Sequence, residues 1–118
     1  MTNTFDCLIV NDLPEISFIG GAEQQLEFNV YDETGIAVNV VGSVCAWRLS
    51  PYGNAGYTTL SLIGVTTGSS SNKYTVTVSG SNTLSLEGKY IQQPKIIDVS
   101  GTEFRPSQGI VTIIPRIT

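Results

Sequence analysis

Residues 25–49 read QLEFNVYDETGIAVNVVGSVCAWRL. Leu26, Phe28 and Val30 alternate with Glu27, Asn29 and Tyr31, and a second alternating run carries Cys45, Trp47 and Leu49 on one face. Between them, Asp32-Glu33-Thr34-Gly35 supplies turn residues, because Asp can bond its own backbone and Gly can take positive φ. Ile36 to Val41 follows as IAVNVV before Gly42. The block therefore reads as strand, turn, short linking strand, strand. A period of two with one apolar face is what a half-buried antiparallel sheet requires, since successive side chains point to opposite sides of the pleat.

The same grammar extends in both directions. Upstream, Phe5 to Val10 (FDCLIV) has strand length and is punctuated by Asn11-Asp12-Leu13-Pro14. Glu15 to Ile19 then alternates again until Gly20-Gly21 breaks it, the pattern of a strand that is kinked or that switches sheets. Downstream, Thr58 to Ile63 and Lys73 to Ser79 alternate, the latter placing Tyr74, Val76 and Val78 together. Gly64 to Asn72 reads as a turn with Gly68 to Ser71 at its tip. Ser81 to Gly88 is the one place for a single helical turn, with Leu84 and Leu86 plugging the end of the core. Lys89 to Ser100 is a long strand whose Pro94 calls for an edge, a bulge or an interruption, since Pro cannot donate to a ladder. Phe104 to Ile117 returns as the last strand.

Seven or eight short strands separated by turn signals predict an all-β fold, an antiparallel β-sandwich of the immunoglobulin type. A small barrel is the alternative. The cysteine pair that brackets the tryptophan of antibody domains is missing, because Cys7 and Cys45 both precede Trp47. At 118 residues the chain fits a single domain spanning 1–118, with residues 1–13 as a first strand or a docking arm.

Composition narrows the partners. Charged residues make up only 14% of the chain, against roughly 25% in typical soluble domains. Seven carboxylates and no base precede Arg48, whereas six bases and three carboxylates follow from it onward, giving −7 and +3. Clustered Lys and Arg are absent, which argues against a nucleic-acid partner. In a sandwich the two halves interleave, so a mixed surface is expected. No apolar run approaches the roughly 18 residues of a membrane span, so no membrane partner is expected. Residues 1–5 lack the basic start and apolar core of a signal peptide, which suggests folding in a cytoplasm where thiols stay reduced. Cys45 then reads as a small core hydrophobe, and a Cys7 to Cys45 bridge between neighbouring strands stays geometrically open.

Signs of catalysis are few. The sequence holds no histidine, which removes the usual general base and the commonest metal ligand. The cysteines lack zinc spacing, and no phosphate-loop or EF-hand pattern occurs. A paired-carboxylate glycosidase stays open in principle. Asp32 and Glu33 could touch a calcium ion, although turn solvation is the simpler reading. No enzyme activity and no cofactor are expected. The positive hint is aromatic: in SPYGNAGY, residues 50–57, Tyr52, Asn54 and Tyr57 occupy an exposed loop able to contact a protein or stack on a cell-surface glycan.

The order of these signals resembles the immunoglobulin-like domain of tailed-bacteriophage virion proteins, including the amino-terminal module of baseplate upper proteins. The matching pieces are Gly20-Gly21, Val30 to Gly35 (VYDETG), Gly42, Cys45 to Leu49, Thr83 to Tyr90 (TLSLEGKY), Asp98 to Gly101 and Gly109 to Ile113. TLSLEGKY is the most specific, departing slightly in its leucine spacing. The resemblance implies a non-enzymatic structural role in the virion, folded first in the host cytoplasm. It also implies docking on other virion proteins at the tail, baseplate or capsid surface, in a symmetric assembly. The fibre or receptor-binding regions that follow this module in longer relatives are not seen after Ile117, which favours an adaptor or decoration role.

Overall fold

The computed structural model describes residues 2–8, 13–32, 34–54, 56–66, 72–104 and 108–115; in the first strand only the side chain of Thr4 is described, and that of Phe104 is not. The described residues form ten strands and one helical turn: β1 Thr2–Leu8, β2 Ile16–Ile19, β3 Gln24–Tyr31, β4 Val44–Pro51, β5 Leu60–Ile63, β6 Val65–Thr66, β7 Lys73–Val78, α1 Gly80–Thr83, β8 Gly88–Ile97, β9 Glu103–Phe104 and β10 Gly109–Ile114. The count exceeds seven or eight because β6 and β9 are two-residue strands.

Two sheets face each other. One has the order β1-β3-β7-β6; the other has β2-β10-β8-β4-β5, with β9 also pairing β8. The all-β sandwich read from the alternation is the fold. It is antiparallel apart from two pairings, β1 with β3 and β2 with β10, which are parallel.

The core lies between the sheets and is made by the alternation. Leu26, Phe28 and Val30 of β3, Cys45, Trp47 and Leu49 of β4, and Tyr74, Val76 and Val78 of β7 are all buried. Phe28 and Tyr74 stack with ring centroids 5.1 Å apart. Full burial of each large apolar side chain contributes about 1.5–3 kcal/mol, so this alternation is the main source of cohesion. Trp47 is fully buried in the core between the sheets, and its indole N–H donates to Gln92 Oε1 at 2.9 Å.

Several segments differ from their sequence reading. Residues 36–41 form no strand; only Ala37 bridges to Tyr31. The run touches only the end of β3, beyond its register with β7, where Val38 N–H donates to the Val30 carbonyl (3.0 Å) and Asp32 N–H to the Ile36 carbonyl (2.8 Å). The run still buries Val40 and packs Val38 against the core as it crosses between sheets. The helical turn begins at Gly80 rather than Ser81, where the Asn82 side chain accepts the Ser79 N–H at 3.0 Å. It is shorter than residues 81–88, so Leu84 is exposed while Leu86 packs against the core. Pro94 sits inside β8, opposite Trp47 in the ladder with β4. On the other side of β8, β10 registers only up to Gln92 and β9 only from Ile96. Between those two registers, residues 105–107 lie outside the described residues. Within the last predicted strand, Phe104 ends β9 and Gly109–Ile114 forms β10, while residues 105–107 and 116–117 lie outside the described residues.

A Cys7 to Cys45 bridge between neighbouring strands does not fit the topology. β1 and β4 belong to different sheets, and Cys45 is a free, buried thiol; the Cys7 side chain lies outside the described residues. Residues 68–71 at the tip of the second-half turn lie outside them as well.

Candidate interaction surface

The loop from Pro51 to Thr59 joins β4 to β5. Its backbone is ordered by hydrogen bonds from Asn54 N–H to the Pro51 carbonyl (3.0 Å), from Tyr57 N–H to the Asn54 carbonyl (3.2 Å) and from Thr59 N–H to the Leu49 carbonyl (2.8 Å). Tyr52 N–H donates to the Lys89 carbonyl at 3.1 Å, tying the loop to the start of β8. The arrangement leaves Tyr52 58% and Tyr57 60% exposed, so neither ring folds back onto the sandwich end. Asn54 is exposed between them.

The Lys89 ammonium lies 5.7 Å from the centroid of the Tyr52 ring and occupies one of its faces. The Arg48 guanidinium is hydrogen-bonded to the Thr58 hydroxyl at the loop's far end. The structure therefore places all three loop residues at one exposed tip, with Tyr52 steadied by a cation and no carboxylate in these contacts. Such a surface can stack or hydrogen-bond; it offers no acid-base pair.

Asp32, weighed from sequence as half of a calcium site, does something else. Its Oδ1 accepts from Thr34 N–H (2.9 Å), the Thr34 hydroxyl (2.7 Å) and Ile36 N–H (3.0 Å). Glu33 lies outside the described residues. Asp98 repeats the arrangement with Ser100 N–H (3.0 Å), the Ser100 hydroxyl (2.7 Å) and Thr102 N–H (2.9 Å). The side-chain hydroxyl and backbone donors hold both carboxyls below their ordinary value. Gly35 and Gly101 close the two turns with φ of 85° and 90°. Each Asp is a turn former, and among the described residues no cluster of metal-ligating side chains occurs.

Two features escaped the sequence reading. Gln92 is fully buried as the partner of Trp47, a polar residue on what the alternation marks as the inner face. A shallow cleft of about 230 Å³ is lined by Leu13, Glu15, Ile91, Gln108, Gly109 and Ile110, brought together by the Leu13 N–H bond to the Gln108 carbonyl at 2.7 Å. Among the described residues, Glu15 is the one charged group that lines it. No local pattern could announce it, because its walls are more than 70 residues apart in the chain.

The halves of opposite charge meet in space. Lys73 pairs with Glu27 at 3.6 Å, joining the basic part of the chain to the acidic part, and Lys95 pairs with Glu103 at 3.8 Å.

No family model matches the chain, and no curated protein matches it. Among solved structures, it is similar to the N-terminal domain of phage TP901-1 ORF48. The TM-score is 0.65 at 11% sequence identity, over 96% of this chain and 98% of that one. At that identity the likeness is one of fold, and it runs from end to end of both chains.

One structural detail links two of the pieces that carry the sequence resemblance. Gly21 N–H donates to the Thr83 hydroxyl at 3.0 Å, so the glycine pair and the TLSLEGKY segment touch across 62 residues of chain.

Proposed function

We propose that the protein is a non-enzymatic structural component of a bacteriophage virion, an immunoglobulin-like module that docks on a larger scaffold as an accessory, adaptor or decoration protein. The observation that carries this reading is the end-to-end fold likeness to the phage TP901-1 ORF48 N-terminal domain. The immunoglobulin-like description is supported by strand order: β1-β3-β7-β6 follows the A-B-E-D sheet, and β10-β8-β4 follows G-F-C. β1 departs from that scheme by running parallel to β3. A sequence without histidine supports a binding role over catalysis. Mass spectrometry of virions purified from cells expressing this chain tests the proposal. Stoichiometric copies that co-purify with the particles are expected; particles free of the chain would refute it.

A second reading is favoured by the exposure of Tyr52 and Tyr57: adhesion to a host-surface glycan through the 50–57 loop. It expects binding on a glycan array that falls about tenfold or more in Tyr57→Ala, the equivalent of about 1.4 kcal/mol. An array without binding removes it.

A further inference from the structure

Among the described residues four strands are marginal, β1 and β6 in one sheet and β2 and β5 in the other. Exposed margins invite strand addition, and proteins commonly guard them with charges or proline. β1 carries Asp6 near its middle, and Pro14-Glu15 immediately precedes β2. Thr58 to Thr66 (TTLSLIGVT), which contains both β5 and β6, has neither charge nor proline. This one segment borders both sheets, passing from one to the other at Gly64.

Hydrogen bonding defines which groups face outward. Gly64 N–H donates to the Cys45 carbonyl at 2.6 Å, next to the Ala46–Ile63 pair. In an antiparallel ladder the pairs alternate, so Leu62 directs its N–H and C=O to β4, and Ser61 and Ile63 direct theirs to the margin. Among the described residues no strand pairs with that side of β5. Ser61 is exposed, Ile63 is 66% exposed and Val65 is 70% exposed.

We propose that this margin pairs antiparallel with the same margin of a second copy of the chain, joining the two larger sheets about a two-fold axis. Charge selects the occupant. The chain carries a net charge of −4, yet Thr58 to Thr66 set against itself brings no like charges together. The β1 margin, by contrast, would place Asp6 near its own copy. Register fits as well: with Leu62 on the axis, Ser61 of each copy lies opposite Ile63 of the other, and both pairs present outward-directed N–H and C=O groups. The contact is isologous and closes on itself, as a two-fold dimer requires. It stands independently of the virion reading.

Sedimentation velocity of the full chain over a concentration series tests this, comparing wild type with Ile63→Lys, Ser61→Pro and, on a different margin, Ile19→Lys. Wild type and Ile19→Lys are expected to dimerise with rising concentration, and Ile63→Lys and Ser61→Pro to stay monomeric. A wild type monomeric throughout, or a dimer that survives both β5 substitutions, overturns the proposal. Hydrogen exchange on the wild type removes any dependence on variant folding. The Ser61 and Ile63 amides must slow on concentration, and unchanged exchange at both would equally overturn it.

Discussion

At the scale of single residues, Trp47 and its partner Gln92 decide most. Trp47 is fully buried, so Trp47→Ala is expected to cost about 3–5 kcal/mol, read from the shift in a urea unfolding midpoint. Trp47→Phe keeps most of the volume but strands the Gln92 carbonyl oxygen, and about 1–3 kcal/mol is expected for the lost partner. If Trp47→Phe were as stable as wild type, the indole hydrogen bond would carry no weight. Cys45 offers a second measurement. Burial pushes its thiol up to about 11, so in the native protein it should resist alkylation at mildly alkaline pH and react on unfolding, as followed by peptide mapping that separates it from Cys7. Trp47 and Cys45 were legible because alternation assigns a face to each. Gln92 was not, because a buried polar residue is recognised by its partner, and that partner lies 45 positions away.

At the scale of elements, the twin turns at Asp32 and Asp98 link sequence to acid stability. Their carboxyls titrate lower in the folded chain than in the unfolded one, so their contribution is present above the ordinary aspartate value of about 3.9 and is lost as pH falls through the folded values. Thermal melts should therefore show wild type losing stability on acidification below about pH 4. The double variant Asp32→Asn, Asp98→Asn should lose less there while being less stable at neutral pH. Identical acid limbs for the two proteins would contradict this role.

The sheet switch at Gly64 gives another outcome at this scale. A Cβ there would lie 2.6 Å from Tyr74 Cδ2 and 3.2 Å from the Thr75 carbonyl, so Gly64→Ala is expected to cost about 1–3 kcal/mol in the same urea assay. The strands that border the core were readable from period-two patterning. Residues 36–41 carried that pattern without forming a strand: they bond only to the last residues of β3 before crossing to the other sheet, and local sequence does not report how long a segment stays beside its neighbour. Leu84 misled for a related reason: the helical turn ends at Thr83, before it can direct that side chain inward.

At the scale of the whole molecule, the acidic first part and the basic second part of the chain meet across the β3–β7 ladder, where Lys73 pairs with Glu27. A surface this poor in charge has few long-range electrostatic contacts to offer, and its exposed large side chains include Ile63, Val65, Tyr52 and Tyr57. The architecture was readable from alternation and turn chemistry together. The role was not, because strand grammar describes a scaffold and names no partner; only the order of the motifs resembled phage virion proteins, and the solved-structure likeness is one of fold. The cleft at Leu13 and Gly109 lay beyond sequence reading because long-range pairing creates it.

The most direct measurement is cryo-electron microscopy of virions purified from cells that express this chain. Density for a two-sheet domain of about 44 × 29 × 22 Å, repeated at symmetric positions on the tail, baseplate or capsid surface, is the expected result. Particles whose surface density is fully accounted for by other proteins would contradict the structural role.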